Sequence, residues 1–333
     1  MNRSEPSRWG RRVVLLLAAA LALGCSKPGA AGNNEPAKTK VLKLALVTNS
    51  ASDFWKIAAA GLMKYEKESK VQVDLKMPPS GTTEEQNQLL QSLSAQGYDA
   101  ITVSVAAPND QLPVLNAVAE KTKLITTDSD APRSKRLLYI GTNNYEAGKT
   151  LGEQIVKLLP HGGKMAAFVG TLAADNASQR LKGIVDATQS HGIELIDRRE
   201  DNTDRAKARS NVEDMINAHP DLKVCVGLWS YNGPAIALAI ESLGKQGQVL
   251  GAVFDEETGT LLGIERGSIQ VTVVQKPFQF GYLSAQWMHQ LALGTAASKL
   301  PPSGVIDTGV EVVDAKNVAE FKNRLEALKR SGS

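Results

Sequence analysis

The chain has 333 residues, of which 42% are apolar and 22% are charged, a composition typical of a globular protein with more than one domain. Its formal net charge is +3, but four arginines and one glutamate lie among the first 24 residues, and the remaining chain carries 34 basic and 34 acidic residues. Nucleic-acid-binding proteins present a net basic face to phosphates, so this balance and the lack of a dense Lys/Arg run argue against nucleic acid as a partner.

The N-terminus has the pattern of an export signal. Four arginines precede an eleven-residue apolar run over residues 13–23, which ends at Gly24 and Cys25. The run is shorter than the roughly 20 apolar residues that span a membrane, so we interpret residues 1–24 as a secretory signal peptide. A small residue followed by cysteine ends the signal of bacterial lipoproteins, and we predict that Cys25 is lipidated. The alternative is an ordinary cleaved signal with an incidental cysteine.

Residues 25–40 contain no apolar pattern and are rich in Pro, Gly, Ala and Asn, so they predict a flexible tether. A tether of this kind holds a globular body away from a membrane. We therefore expect a periplasmic protein of the cell envelope that is anchored by lipid.

From residue 41 onward, strand-like apolar runs alternate with helical patterns. The first five runs cover residues 41–47, 71–75, 100–105, 123–127 and 137–141. One intervening helix begins with Thr82 and Glu85 at the spacing of a capping box. Five further runs cover residues 164–170, 193–197, 223–229, 249–254 and 269–274. This alternation predicts parallel sheets covered on both faces by helices, so we expect an α/β fold with two Rossmann-like lobes.

The residues that follow each apolar run are the candidates for a binding site, because ligands of open α/β sheets bind beyond the carboxyl ends of the strands. They include carboxylates, hydroxyls, amides, one guanidinium group and aromatic rings. Carboxylates accept hydrogen bonds from hydroxyl groups, guanidinium groups donate to them, and aromatic rings stack on C–H faces, so this set fits a sugar. The predicted ligand-binding residues are Ser52, Phe54, Trp55, Asp128, Ser129, Arg180, Tyr231, Asn232, Asp255 and Gln275.

Several residues at the strand ends also fit structural roles. Asp128 and Asp255 each stand where a strand hands over to a helix, a position suited to a helix N-cap. Arg180 also fits a surface ion pair, and Phe254 fits the core. Asn176 is interpreted as a helix cap rather than a ligand contact.

No group of residues indicates catalysis, a metal site or a cofactor. The four histidines lack metal-ligand spacing, and they are His161, His191, His219 and His289. Residues 148–150 end like a phosphate-binding loop, but Asn143 stands where that loop requires glycine. We predict instead a helix capped by Asn143 or Asn144. Cys225 lies in a strand-like run, and we expect a buried, unreactive thiol.

Five motifs carry a resemblance to a known family. They are the pair Phe54-Trp55, LITTD ending at Asp128, NASQRLKG around Arg180, AVFD ending at Asp255 and VVQKPFQFG containing Gln275. In order and spacing the chain resembles periplasmic sugar-binding proteins of the ribose-binding type, which are type I solute-binding proteins of ABC importers, over residues 41 to about 315. The resemblance implies that the sugar site is lined by Ser52, Phe54, Trp55, Asp128, Arg180, Tyr231, Asp255 and Gln275.

The sequence departs from ribose binders at three of these strand ends. Ser129 stands where Arg is frequent, Ser52 where Asn is usual, and Tyr231 where a polar amide is usual. The departures argue against pentose specificity, while a cyclic polyol of some kind remains favoured.

The resemblance also implies a monomeric protein whose two lobes close by hinge motion around a monosaccharide or similar small polyol. The closed protein then presents the sugar to an ABC permease in the inner membrane. We expect the first lobe to comprise residues 41–142 plus about 276–304, and the second lobe residues 143–275 plus about 305–325. The three crossings between lobes are expected near Thr142 to Asn143, Gln275 to Pro277 and Pro302 to Val305.

Three other functions use the same fold or the same residues. A sensor subunit that binds a sugar-like signal and docks on a receptor is not distinguished from an importer subunit by sequence. A sugar-processing enzyme would use Asp128 and Asp255 as acid and base, but no other catalytic group accompanies them. A sugar-responsive repressor needs DNA-binding helices before the first strand, and the predicted signal and tether over residues 1–40 exclude it.

Overall fold

The computed structural model describes residues 41–331. The predicted signal peptide over residues 1–24, the lipidation site Cys25 and the tether over residues 25–40 lie outside the described residues. Within residues 41–331, no helix is both long enough and apolar enough to cross a bilayer.

The first lobe is built on a six-stranded parallel sheet. Its strands are β1 (Leu44–Val47), β2 (Asp74–Lys76), β3 (Ala100–Val103), β4 (Lys123–Thr127), β5 (Leu138–Gly141) and β11 (Val305–Asp307). They lie in the order β11-β5-β4-β3-β1-β2. Five of the six were predicted, although β2 begins three residues later than the apolar run beginning at residue 71 indicates.

The second lobe repeats this arrangement with one reversed strand. Its strands are β6 (Gly163–Val169), β7 (Ile193–Glu200), β8 (Leu222–Gly227), β9 (Leu250–Phe254), β10 (Val271–Val274) and β12 (Glu311–Asp314). They lie in the order β12-β10-β9-β8-β6-β7, and only β12 runs antiparallel to its neighbour. The predicted two-lobe α/β fold is therefore confirmed, with one antiparallel edge that the sequence did not indicate.

Within the described residues, ten α-helices pack around the two sheets. They are α1 (Asp53–Ser69), α2 (Thr83–Ala95), α3 (Pro108–Ala119), α4 (Asn144–Leu158), α5 (Asp175–Thr188), α6 (Arg205–Ala218), α7 (Asn232–Ser242), α8 (Thr258–Arg266), α9 (Pro277–Ala292) and α10 (Val318–Ser331). The caps predicted at Thr82 and Asn143 are confirmed, because their side chains accept hydrogen bonds from the backbone N–H groups of Glu85 and Glu146. Cys225 is fully buried in β8, as predicted.

The chain crosses between the lobes three times. The first crossing joins β5 to α4, which packs on α5 in the second lobe, and the second joins β10 to α9, which packs on α1 in the first lobe. The third crossing was predicted near Pro302 to Val305, but β11 still pairs with β5 of the first sheet, so the chain leaves that sheet a few residues later. The first lobe therefore extends to Asp307 rather than residue 304. A strand of three residues gives too weak an apolar pattern to be recognised from sequence.

Glycines let one pair of helices in each lobe approach closely. In the second lobe, a methyl group at Gly148 of α4 would overlap the backbone oxygen of Arg180 in α5, and one at Gly183 of α5 would overlap the oxygen of Tyr145. In the first lobe, Gly61 of α1 and Gly281 of α9 meet the facing backbone in the same way. These contacts fix the positions of α1 and α5, which follow β1 and β6, the first strand of each lobe along the chain.

We predict that Gly148→Ala lowers the free energy of unfolding by about 1 to 3 kcal/mol, because the added methyl group must push α5 away. Urea unfolding of the purified protein measures this change. The control is Glu153→Ala, on the exposed side of the same helix, which should change stability by less than about 0.5 kcal/mol. Equal effects of the two substitutions would contradict the close contact between α4 and α5.

Candidate functional site

Asp128, at the end of β4, is the centre of the first-lobe part of the site. Its side chain is buried, and its carboxylate accepts hydrogen bonds from Ser104 Oγ at 2.8 Å and from Asn49 Nδ2 at 3.4 Å. Asn49 and Ser104 follow β1 and β3, the strands that precede β4 across the sheet. Three strand ends thus converge on one carboxylate.

Asn176 joins the two lobes, which corrects its interpretation as a helix cap. The N-cap of α5 is Ala174, whereas the Asn176 side chain reaches across to the first lobe. Its Nδ2 donates to both Asp128 carboxylate oxygens at 3.3 Å, and its Oδ1 accepts from Trp229 Nε1 at 3.1 Å. The amide therefore connects the first-lobe carboxylate to the end of β8.

Phe54 and Trp55 lie in the first turn of α1, beside the Asp128 cluster. Trp55 is 1% exposed, and its Nε1 donates to Asn49 Oδ1 at 3.0 Å. The rings of Phe54 and Trp55 meet edge to face with centroids 5.2 Å apart. Both rings are thus fixed in position by packing and hydrogen bonding at the border of the site.

Arg180, in α5, is the cation of the site and is 1% exposed, which excludes the surface ion pair considered as an alternative. Its Nε donates to Asn144 Oδ1 at 3.0 Å, and its Nη1 donates to the backbone oxygen of Leu228 at 2.7 Å. Its guanidinium lies 4.4 Å from the ring centroid of Phe254. Phe254 belongs to the core of the second lobe, and its ring forms a cation–π contact with the Arg180 guanidinium.

Asp255 and Gln275 complete the second-lobe part of the site at the ends of β9 and β10. Gln275 Nε2 donates to Asp255 Oδ1 at 2.9 Å, and Asp255 Oδ2 lies 3.9 Å from Arg180 Nη1. Two buried polar atoms in this group, Arg180 Nη2 and Gln275 Oε1, have no hydrogen-bond partner among the described residues. Arg180 Nη2 is a donor and Gln275 Oε1 is an acceptor. Both atoms belong to side chains that lie next to the Asp255 carboxylate.

The two aspartates share an uncommon backbone conformation. Asp128 has φ of 58° and Asp255 has φ of 69°, in the left-handed region that non-glycine residues seldom adopt. Neither aspartate is the N-cap of a helix, since α8 is preceded by Glu257 and no helix begins within four residues of Asp128. Strained backbone of this kind occurs mostly where function requires a particular side-chain direction.

Burial dominates the electrostatics of both aspartates. Loss of solvent raises the pKa of Asp128 above its ordinary value, although the Arg180 charge and the hydrogen bonds from Ser104 and Asn176 oppose the rise. Burial likewise raises the pKa of Asp255, against the effect of Arg180 and Gln275, and the charge of Asp128 raises it further. Two buried carboxylates thus share one guanidinium, so one negative charge of this trio is not compensated within it.

Tyr231 and Asn232, both predicted ligand residues, bind a different carboxylate. The Tyr231 hydroxyl donates to Asp201 Oδ1, and Asn232 Nδ2 donates to Asp201 Oδ2 at 3.1 Å. Burial raises the pKa of Asp201 to about 6 despite these donors. The ring centroids of Tyr231 and Trp229 are 6.4 Å apart. Tyr231 therefore lies next to Trp229, the residue that donates a hydrogen bond to Asn176.

The two predicted serines lie at the strand ends without forming hydrogen bonds through their hydroxyl groups to the central cluster. Ser52 occupies the N-cap position of α1 and makes no capping hydrogen bond. Ser129 is fully buried, and its Oγ has no hydrogen-bond partner among the described residues.

Sequence reasoning missed Asn49, Ser104 and Asp201. Asn49 lies two residues after the end of β1 at Val47 and was available to the strand-end rule. Ser104 lay inside a run predicted to extend to residue 105, whereas β3 ends at Val103. Asp201 lay beyond a run predicted to end at residue 197, whereas β7 continues to Glu200. Errors of two or three residues in strand ends therefore hid two of the three. No group of three or more His, Cys, Asp or Glu side chains within residues 41–331 is arranged to hold a metal ion.

Comparison with known proteins identifies relatives along most of the chain. A family model described as periplasmic binding protein domain matches residues 44–296. A D-ribose/D-allose-binding protein of Pseudomonas aeruginosa is 25% identical over 317 residues, which cover 90% of this chain and 97% of the relative.

Solved structures show the same fold. An ABC transporter solute-binding protein from Burkholderia graminis, in complex with D-arabinose, is 31% identical with a TM-score of 0.79, covering 84% of this chain and 96% of that one. A glucose-galactose binding protein from Geobacillus stearothermophilus is 25% identical with a TM-score of 0.79, covering 84% and 99% of the respective chains. The predicted resemblance and fold class are confirmed, and these relatives are binding proteins rather than enzymes.

We predict that Asp255→Asn raises the thermal stability of the sugar-free protein at neutral pH, because it removes the uncompensated charge. The pKa of Asp255 in the folded protein is above the value of about 3.9 for an unperturbed aspartate. The native state therefore holds this proton more tightly, and its stability contribution, complete below about pH 4, is lost as pH rises toward neutrality.

The measurement is the unfolding temperature of both proteins between about pH 4 and about pH 7.5. The advantage of the Asn variant should grow as pH rises. An advantage that stays constant over this range, or a less stable variant at neutral pH, would show that Asp255 carries no uncompensated charge.

Proposed function

The chain belongs to the family of periplasmic binding protein domains, and from this premise we propose that it is a solute-binding lipoprotein that delivers a monosaccharide or similar small polyol to an ABC importer. The ligand binds between the lobes, against Asp128 and Trp55 from the first and Arg180, Asp255 and Gln275 from the second.

The observation that carries the proposal is the set of buried polar atoms at the lobe interface. Arg180 Nη2 and Gln275 Oε1 have no hydrogen-bond partner within residues 41–331, and both side chains lie next to the Asp255 carboxylate. Leaving a buried donor or acceptor unpaired costs about 1 to 3 kcal/mol. A hydroxyl group both donates and accepts, so a polyol satisfies a guanidinium, an amide oxygen and a carboxylate together.

The ligands named for the relatives support a sugar. The Pseudomonas relative binds D-ribose and D-allose by name, and the Burkholderia structure contains D-arabinose. These ligands are pentoses and a hexose, and all are ring-forming polyols. Small-molecule transfer to an importer follows from the same relationship, since the Burkholderia protein is described as part of an ABC transporter.

Two further parts of the proposal concern partners. We propose that the protein acts as a monomer and docks on an ABC permease of the inner membrane. The alternative is a sensor subunit that presents a sugar-like signal to a receptor. Deleting the gene and measuring uptake of the radiolabelled sugar separates these roles, because uptake falls only if the protein serves an importer.

We predict that Cys25 carries the lipid anchor, because residues 13–25 have the apolar run and Gly-Cys junction of a lipoprotein signal. Labelled palmitate should follow the protein into the membrane fraction of the bacterium. The control is Cys225→Ser, which removes the other cysteine. If Cys25→Ser retains both label and membrane association, the anchor is somewhere else.

We predict that Asp128→Ala, Asp255→Ala and Arg180→Ala each weaken sugar binding by about 10- to 100-fold, because hydrogen bonds to charged groups contribute about 1.5 to 3 kcal/mol. A thermal-shift screen of pentoses, hexoses and polyols identifies the sugar, and calorimetric titration measures its affinity. The control is Arg209→Ala, which removes an exposed arginine of α6.

The control variant should bind the sugar as the parent does. If all three site variants stay folded and bind with unchanged affinity, the sugar site is elsewhere. If the screen finds no sugar while the parent is folded, the ligand class is wrong.

A further inference from the structure

A cavity of about 350 Å³ lies between the two lobes, beside Asp255. Protein pockets that hold small molecules have volumes of about 300 to 1,000 Å³, so this cavity alone has room for a ligand group. A wider cavity of about 770 Å³ lies between α5 and β7 on the outside of the second lobe, and none of the predicted site residues lines it.

The cavity shares two residues with the candidate sugar site. Asp255 and Phe54, both predicted ligand residues, line it. Asp255 therefore faces two groups of atoms, the Arg180 and Gln275 side chains on one side and the cavity on the other. The space beside Asp255 is therefore available to a part of the ligand that extends beyond the first ring.

The two walls of the cavity differ in chemistry. The first-lobe wall is one side of α1 and is mostly apolar, with Phe54, Ile57, Ala60 and Met63 beside the single charged residue Lys56. The second-lobe wall consists of the strand ends and the start of α8, with the polar residues Ser230, Asp255, Glu256, Glu257 and Thr258. One wall therefore fits C–H surface, and the other fits hydroxyl groups.

The polar wall is held in place by its own contacts. Arg205 donates to both carboxylate oxygens of Glu257, at 2.9 and 3.0 Å, and the Arg205 guanidinium lies 5.3 Å from the Tyr231 ring centroid. Ser230 Oγ lies 3.5 Å from the same carboxylate. The Glu257 charge is thus balanced by Arg205, and the carboxylate oxygens and hydroxyl groups of this wall can form hydrogen bonds with sugar hydroxyl groups.

We propose that the ligand is a substituted sugar, whose second ring or aglycone of similar size occupies this cavity while its first ring binds at Asp128, Arg180 and Asp255. A second pyranose ring presents C–H faces to α1 and hydroxyl edges to Ser230 and Glu257. This inference rests on the proposed sugar-binding function and replaces free monosaccharides by glycosides and disaccharides as its ligand class.

The test compares free and substituted sugars by calorimetric titration. The free sugars are D-ribose, L-arabinose, D-xylose, D-glucose and D-galactose, and the substituted set contains their methyl and phenyl glycosides together with lactose, melibiose and cellobiose. The tightest substituted sugar should bind about tenfold or more tightly than its parent. Parents that bind as tightly as every substituted form overturn the inference.

Variants that fill the cavity test whether the tighter binding of the substituted sugar depends on this cavity. Ala60→Phe and Met63→Trp should each remove most of the advantage of the substituted sugar while changing the affinity of its parent by less than about twofold. Met63 is 43% exposed, so its replacement leaves the core intact. Lys67→Trp, one turn further along α1, is the control and should keep the advantage.

An advantage that survives both cavity variants contradicts the inference, because the substituent must then lie elsewhere. Binding of free sugars alone contradicts the inference but leaves the proposed function intact. Absence of binding by every sugar in both sets, with the protein folded, contradicts the proposed function itself.

Discussion

The rest of the structure depends on a small group of charges buried between the lobes. Asp128, Arg180 and Asp255 are between 1% and 4% exposed, and together they hold two carboxylates and one guanidinium. Taking such groups out of water is costly unless each finds partners. The protein itself supplies amides, a serine hydroxyl and backbone oxygens, but it leaves part of Arg180 and Gln275 unpaired. An interface of this kind is stable when a third, polyhydroxylated component lies between its halves.

Each lobe contributes its buried carboxylate through the same local structure. β4 and β9 are each the fourth strand of their lobe along the chain, and each is followed by an aspartate with positive φ. The backbone N–H of Asp128 donates to Ile140 in β5, and that of Asp255 donates to Val273 in β10, so each turn is held by the next strand. Glycine contacts between α1 and α9, and between α4 and α5, repeat in the same way. The same strand-and-aspartate structure thus occurs once in each lobe, and the site receives one buried carboxylate from each side.

Much of this could be predicted from the sequence, because strand ends mark the site in any open α/β sheet. Asp128, Arg180, Asp255 and Gln275 were found in this way and do converge. The bridging role of Asn176 could not be predicted, because it depends on how one lobe faces the other. The partner of Tyr231 was hidden by the unpredicted length of β7, an edge strand whose exposed end lacks a clear apolar pattern.

The central claim is that a sugar holds the lobes together by completing the hydrogen bonding of this buried group. Small-angle X-ray scattering of the full mature chain, with and without the tightest sugar from the screen, tests it most directly. The account predicts a smaller radius of gyration and a more compact profile when the sugar is bound, because the lobes close by hinge motion around it. Identical profiles at saturating sugar would contradict it, since the lobes would then meet without the ligand.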